Sequence, residues 1–164
     1  MDYAWSAAAR SVKAATDMPD APKILIVEAR YYAHIADELM KGAVAELDKA
    51  GAPHERIAVP GAFEIPSAIR LASKSNGEYA GYVALGCVIR GETSHYDLVC
   101  GECARGIQRL AFEDGLAIGF GVLTVENEAQ ALARAMIDRK NKGGEAVRAC
   151  LAMIELKRRF QAVT

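Results

Sequence analysis

Apolar residues in this chain switch back and forth between two spacings, and that alternation constrains the fold more than any other feature. Lys23 to Glu28 (KILIVE) is a short apolar run rich in branched residues, which predicts a buried strand. From His34 to Ala50 the apolar positions become Ile35, Leu39, Ala43, Val44 and Leu47, a helical stripe with Gly51 as its stop signal. The exchange then repeats. Arg56 to Val59 predicts a strand that Pro60-Gly61 breaks, and Glu64 to Ser73 carries Ile65, Ala68, Ile69 and Ala72 at helical spacing. Tyr79 to Leu85 (YAGYVAL) predicts a third strand. Ser94 to Phe112 predicts a helix whose Ser94 and Asp97 resemble a capping box, with Asp in place of the usual Glu. Leu116 to Val125 contains a fourth strand, its limits blurred by Gly119 and Gly121. Asn127 to Met136 and Glu145 to Phe160 predict the last two helices, with Asn141-Lys142-Gly143-Gly144 as the loop between them.

Strands that alternate with helices of this length imply a parallel sheet covered on both faces. Right-handed crossovers then leave an α/β fold, a three-layer α/β/α sandwich around a four-stranded parallel sheet. Residues 1–22 are Ala-rich and end in Met18-Pro19-Asp20-Ala21-Pro22, which reads as an N-terminal arm before a single α/β domain over residues 23–164. A chain of 164 residues is long enough for one substantial core.

Composition removes several function classes. The formal net charge of −1 offers no electrostatic reason to expect nucleic acid or an anionic membrane as partner. Lys157, Arg158 and Arg159 do cluster, but they fall in the last turns of a predicted helix, where cations complement the dipole. No uninterrupted apolar stretch approaches the roughly 20 residues that span a bilayer. Four cysteines (Cys87, Cys100, Cys103, Cys150) occur without a secretory signal, which leads to the expectation of a cytoplasmic protein with reduced thiols. Cys100 and Cys103 form a C-x-x-C, yet no second ligand pair accompanies them and they share a helical pattern with Tyr96, Val99 and Ile107. Helix-face packing explains them better than zinc, so no metal site is expected.

In parallel α/β sheets ligands bind beyond the carboxyl ends of the strands. Here those ends are Ala29 to Tyr32, Pro60 to Glu64, Gly86 to His95 and the end of the fourth strand, and the unusual residues collect there. The segment Gly86-Cys87-Val88-Ile89-Arg90-Gly91-Glu92-Thr93-Ser94-His95-Tyr96-Asp97 stands out. A glycine-preceded polar turn entering a helix presents backbone N–H groups to an anion, phosphate being the natural guess. Capping alone would also explain Thr93 and Ser94, and Glu92 would repel a phosphate unless it points away. His95, at a helix start that disfavours its protonated form, can exchange protons near neutral pH. A helix-start histidine without function is the plain alternative. Tyr31, Tyr32 and Phe63 follow strands at loop positions, where aromatic rings can stack on a flat heterocycle or simply fill the core. Glu64 suits the start of a helix in any case. Arg134 could hold a phosphate bidentately or lie solvated on its helix.

Three spaced motifs carry a family resemblance. Pro60-Gly61-Ala62-Phe63-Glu64-Ile65-Pro66, the segment from Gly86 to Asp97, and Leu123-Thr124-Val125-Glu126-Asn127 together resemble 6,7-dimethyl-8-ribityllumazine synthases, in collinear order from about Lys23 to Phe160. The resemblance implies a flavodoxin-like fold and a condensation of 5-amino-6-(D-ribitylamino)uracil with 3,4-dihydroxy-2-butanone 4-phosphate, the penultimate step of riboflavin biosynthesis, with no metal or organic cofactor. It implies that Tyr31 stacks on the pyrimidine and that Ala62, Phe63, Glu64, Cys87, Val88 and Ile89 contact the uracil and its ribityl chain. Glu92 and Thr93 would bind the butanone phosphate, and His95 would donate and shuttle protons. Phe120 and Arg134 would come from a neighbouring subunit, Arg134 on the phosphate. Two departures stand out: Tyr32 replaces a frequent Asn, and Glu28-Ala29 replaces smaller residues.

Assembly is implied in the same way: a homo-oligomer, with a pentamer favoured over a decamer or icosahedral shell. Shell-forming members often kink at a glycine between the last helices, and none stands here between Arg134 and Gly143. Two other readings remain. A flavodoxin-like electron carrier would need a Ser/Thr/Gly-rich loop where the chain has Glu28-Ala29-Arg30-Tyr31-Tyr32. A paralogue that kept the fold and lost catalysis would not need His95, Thr93 and Arg134.

Overall fold

A computed structural model describes residues 21–76 and 78–161. In chain order these form β1 (Ile24–Ala29), α1 (Ala33–Lys49), β2 (His54–Val59), a 3₁₀ turn (Ala62–Glu64), α2 (Ile65–Lys74), β3 (Gly81–Ile89), α3 (His95–Glu113), β4 (Ile118–Val125), α4 (Glu128–Ala135) and α5 (Lys142–Gln161). The strands pair in parallel in the order β2-β1-β3-β4. This is the flavodoxin-like α/β sandwich expected from the alternating periodicity. The expected arm over residues 1–22 lies almost wholly outside the described residues. Among the described residues no helix is long and apolar enough to cross a membrane.

Every residue of β1 is buried, because helices cover both of its faces. Alternate residues therefore serve two cores. Ile24, Ile26, Val83, Leu85 and Leu123 meet Ile35, Leu39 and Leu47 of α1 and Val147, Cys150 and Ile154 of α5. On the other face Leu25, Val27, Tyr82, Ala84 and Val122 meet Ile65 and Ile69 of α2 and Cys103, Ile107 and Leu110 of α3. Each large aliphatic side chain removed from water in these layers stabilises the fold by about 1.5–3 kcal/mol. Cys103 of the C-x-x-C belongs to the second core and is 1% exposed.

Close contact between α5 and the sheet depends on missing side chains. A Cβ on Gly81 would sit 2.6 Å from Cys150 Sγ and 2.8 Å from Ile154 Cδ1, and one on Gly119 would drive into the Ala146 carbonyl. These glycines bring the α5 backbone down onto β3 and β4, which is why Gly119 and Gly121 blur the strand in sequence without breaking it.

Three local expectations change. β3 does not stop at Leu85 but runs on through Gly86, Cys87, Val88 and Ile89, paired with β4 as far as Ile89 and Val125. The segment Asn141-Lys142-Gly143-Gly144 is not a loop. Asn141, at φ 43°, accepts from Gly144 N at 3.0 Å, and α5 starts at Lys142. Gly143 and Gly144 are buried there because α1 crosses so closely that a Cβ on Gly143 would strike the Leu39 carbonyl. The capping box on α3 is also absent: the Ser94 side chain caps nothing, and Asp97 is engaged by Arg90 instead. By contrast Asn127 does cap α4, accepting from Gln130 N at 3.0 Å.

Gly119→Ala is expected to destabilise the fold by about 1–3 kcal/mol, since the rigid Ala146 backbone cannot yield to the added methyl. Gly101→Ala, mid-helix with nothing within 4 Å of the new methyl, should instead stabilise by up to about 1 kcal/mol. Denaturant unfolding of the two variants checks the contrast.

Candidate active site

The chain reverses its direction of winding between β1 and β3, and a crevice of about 620 Å³ opens at the carboxyl ends of these strands. Strand ends, a 3₁₀ turn and one helix start supply its walls.

The first wall comes from the link between β1 and α1. Tyr31 is 75% exposed, and its ring meets that of Tyr32 edge to face at 5.0 Å between centroids. The Tyr32 carbonyl accepts from Ile35 N and Ala36 N, so α1 begins immediately behind the ring. Burial and the neighbouring Tyr31 raise the Tyr32 phenol above its ordinary range. The second wall follows β2. Pro60 ends that strand, the Gly61 carbonyl accepts from Glu64 N at 3.3 Å, and the resulting turn carries Ala62, Phe63 and Glu64 into the crevice. Ala62 is buried, while Phe63 is half exposed.

The third wall is the end of β3. Cys87, Val88 and Ile89 line the crevice, and Gly86 just before them lets β3 lie close to β1: a Cβ there would be 3.2 Å from Ala29 Cβ. Gly91 and Thr93 continue the wall into α3, whose His95, Tyr96, Leu98 and Val99 complete it. Thr93 Oγ1 accepts from His95 N at 3.4 Å, the side-chain contact that replaces the expected Ser94 cap.

Arg90 holds this wall in place from outside the crevice. Its backbone N–H donates to Val125 O, and its guanidinium contacts Asp97 at 3.1 and 3.3 Å and Glu126 at 3.2 Å. The guanidinium also lies 4.0 Å from the Tyr96 ring centroid. The hydrogen bonds it donates to Asp97 and then to Glu126 hold it firmly protonated. One cation thus ties the end of β3, the first turn of α3 and the end of β4 together around His95.

Most of the residues expected from sequence meet at this one crevice: Tyr31, Ala62, Phe63, Glu64, Cys87, Val88, Ile89, Thr93 and His95 all line it. Glu92 occupies the same turn without lining it. Phe120 and Arg134 are elsewhere. Phe120 lies within β4 opposite Ala84, short of the strand end, and is 45% exposed. Arg134 stands near the end of α4, which packs against α1 on the other side of the sheet from α3, and its Nη1 donates to Gln130 O at 3.0 Å. Tyr96, Leu98 and Val99 escaped the sequence reading because their spacing on α3 looks like ordinary helix packing. Arg90 escaped because its partners lie 7 and 36 residues away.

The groups present suit noncovalent capture of a flat molecule beside a proton carrier. Aromatic and aliphatic side chains form the floor, and His95 with the N–H groups of a helix start forms one end. Cys87 is not a ready nucleophile, since burial pushes its thiol up to about 12. Cys103 and Cys150 are likewise pushed up to about 12 by burial. Among the described residues no group of three or more His, Cys, Asp or Glu is placed to hold a metal ion.

Comparison with known proteins gives a consistent result. The family model described as 6,7-dimethyl-8-ribityllumazine synthase matches residues 21–158. The chain is 55% identical over 144 residues to a protein of that name from Bartonella tribocorum, covering 88% of this chain and 95% of the relative. It is 58% identical over 137 residues to one from Sphingopyxis alaskensis, covering 84% and 96%. A third, from Novosphingobium aromaticivorans, is 59% identical over 138 residues, covering 84% and 98%.

The raised thiol of Cys87 makes a direct prediction. A group whose pKa is raised to about 12 stays neutral through pH 8, where only about one thiol in ten thousand is ionised. Alkylation by iodoacetamide, followed by peptide mass spectrometry, should be slower by about 10²–10³-fold at Cys87 than for a free thiol in solution. Labelling at the free-thiol rate would contradict this description of the crevice floor.

Proposed function

The chain belongs to the 6,7-dimethyl-8-ribityllumazine synthase family, and from that premise we propose that the crevice at the ends of β1, β2 and β3 is where its reaction takes place. The reaction joins 5-amino-6-(D-ribitylamino)uracil to 3,4-dihydroxy-2-butanone 4-phosphate and releases phosphate and water, the penultimate step of riboflavin biosynthesis. The observation that carries the assignment of the site is the meeting of Tyr31, Phe63 and Val88 with Thr93 and His95 at one opening.

In this reading the pyrimidine lies against Tyr31, with Ala62, Phe63, Glu64, Cys87, Val88 and Ile89 around the ring and its ribityl chain. The butanone phosphate sits at the turn of Glu92 and Thr93, where the helix dipole of α3 and its N–H groups favour an anion. The amine attacks the ketone carbon, water leaves to form a Schiff base, phosphate is eliminated, and the ribityl-bearing nitrogen closes the second ring on the remaining carbonyl with loss of a second water. Each step moves a proton. His95, exposed at the crevice mouth, is the group that takes and returns them. Much of the acceleration comes from holding two reactants in contact, a gain that reaches about 7–11 kcal/mol in favourable cases.

Phe120 and Arg134 enter the site from a second copy of the chain, Arg134 clamping the phosphate. Both lie away from this chain's own crevice, and Phe120 is exposed, as a residue meant for a neighbour would be. We propose a homo-oligomer, a pentamer in preference to a decamer or shell, acting in the cytoplasm. The free, buried thiols of Cys87, Cys103 and Cys150 suit a reducing compartment.

Mixing the purified protein with both substrates and following lumazine absorbance and fluorescence tests the assignment. His95→Ala should lower turnover by about 10²–10⁴-fold while remaining above the uncatalysed reaction, because positioning survives the loss of the imidazole. Activity equal to wild type would remove His95 from the mechanism. The shared site has its own test. Unfolding His95→Ala and Arg134→Ala chains together and refolding them as mixed assemblies should restore about a quarter of the sites, since each such site draws His95 and Arg134 from different copies. No recovery over the separate variants would place both residues in one chain's site.

A further inference from the structure

Glu28 is the one charged side chain that is buried among the described residues, at 3% exposed. It lies on β1 between Ala58 of β2 and Leu85 of β3, one residue before the strand ends. Burying a carboxylate costs several kcal/mol unless it is paired, so the position demands a partner. That partner is Arg30, whose Nη1 donates to Glu28 Oε2 at 3.0 Å. The other end of the same guanidinium donates to Asp37 Oδ1 on α1 at 2.9 Å. Arg30 N also donates to Val59 O, at 3.4 Å.

Arg30 is therefore pinned to β1, β2 and α1 at once, and Tyr31 is the next residue. Only Arg30, Tyr31 and Tyr32 connect β1 to α1. The Tyr31 ring is three-quarters exposed and meets the edge of Tyr32, so most of its surface has no packing to fix it in space. The backbone that carries it does. A well-packed apolar residue at Glu28 would stabilise the core at least as well as a buried ion pair. What an apolar residue cannot do is hold Arg30, and through it the turn, in one geometry.

We propose that the Glu28–Arg30–Asp37 chain of ion pairs is a positioning device for Tyr31, setting how tightly the crevice holds its flat heterocyclic substrate and leaving the chemical steps alone. The inference rests on the reading that Tyr31 is the platform for the pyrimidine. Glu28→Gln keeps the side-chain shape and removes the charge that draws in Arg30. Asp37→Asn does the same at the exposed end of the chain of pairs.

Steady-state kinetics of the whole enzyme with both substrates separates the outcomes. Glu28→Gln is expected to raise KM for the aminouracil about tenfold, with kcat and KM for the butanone phosphate changed less than about twofold, and Asp37→Asn to shift the same KM by about threefold. Because the effect runs through one ring, it should vanish in a Tyr31→Ala background, where adding Glu28→Gln costs nothing further. A penalty that adds in full to that of Tyr31→Ala, or a fall in kcat with both KM values unchanged, would overturn the proposal. A Tyr31→Ala variant whose aminouracil KM equals wild type would overturn the site assignment itself, and this inference with it. If Glu28→Gln fails to fold, Asp37→Asn and its double with Tyr31→Ala decide the matter by the same criteria.

Discussion

Everything in this structure depends on the parallel pairing of β1 with β3. From β1 the chain crosses into α1 on one face of the sheet, and from β3 it crosses into α3 on the other. The two crossovers diverge, and the space they leave at the strand ends is the crevice. Gly86 keeps the strands close enough for this geometry to hold, since a side chain there would press on Ala29 and Ile65. On the opposite face, which α1 also covers, the glycines of β3 and β4 let α5 settle on the sheet. The opening is thus what a two-sided parallel sheet leaves uncovered at its point of reversal.

Two ion-pair nodes secure the walls of that opening, and they do different work. Arg90 gathers the ends of β3 and β4 with the first turn of α3, the segment that presents Thr93 and His95. Arg30 ties β1 to α1 around Tyr31 through a carboxylate hidden in the sheet. One node stands behind Thr93 and His95, the other behind Tyr31. Cations with several partners suit this task, because a guanidinium can engage two carboxylates in fixed directions.

The layout of the fold was legible in sequence because each element has its own periodicity. KILIVE reads as a buried strand, and the stripe from Ile35 to Leu47 as a helix. The strand-end rule then located the crevice before any contact was known. What stayed hidden involved either close backbone approach or distant pairing. Gly143-Gly144 looks like a loop because glycine weakens helices, whereas here α1 leaves no room for anything larger. Ser94 and Asp97 look like a capping box, but Arg90 competes successfully for the aspartate. Glu28 looks like the polar end of a strand, and only the fold shows it buried under Arg30. The family resemblance supplied roles for Phe120 and Arg134 that no single chain's periodicity could, since the proposed roles depend on a second copy of the chain.

The proposed reaction requires a flat pyrimidine held at the reversal between β1 and β3, with its partner's phosphate at the start of α3. A crystal structure of the assembled protein with an unreactive analogue of the aminouracil and with inorganic phosphate tests it most directly. The heterocycle should lie against Tyr31 and beside Val88, with phosphate at Thr93 within reach of Arg134 from the adjacent copy. An analogue seated away from Tyr31 and His95, or a phosphate bound without the second chain, would contradict it.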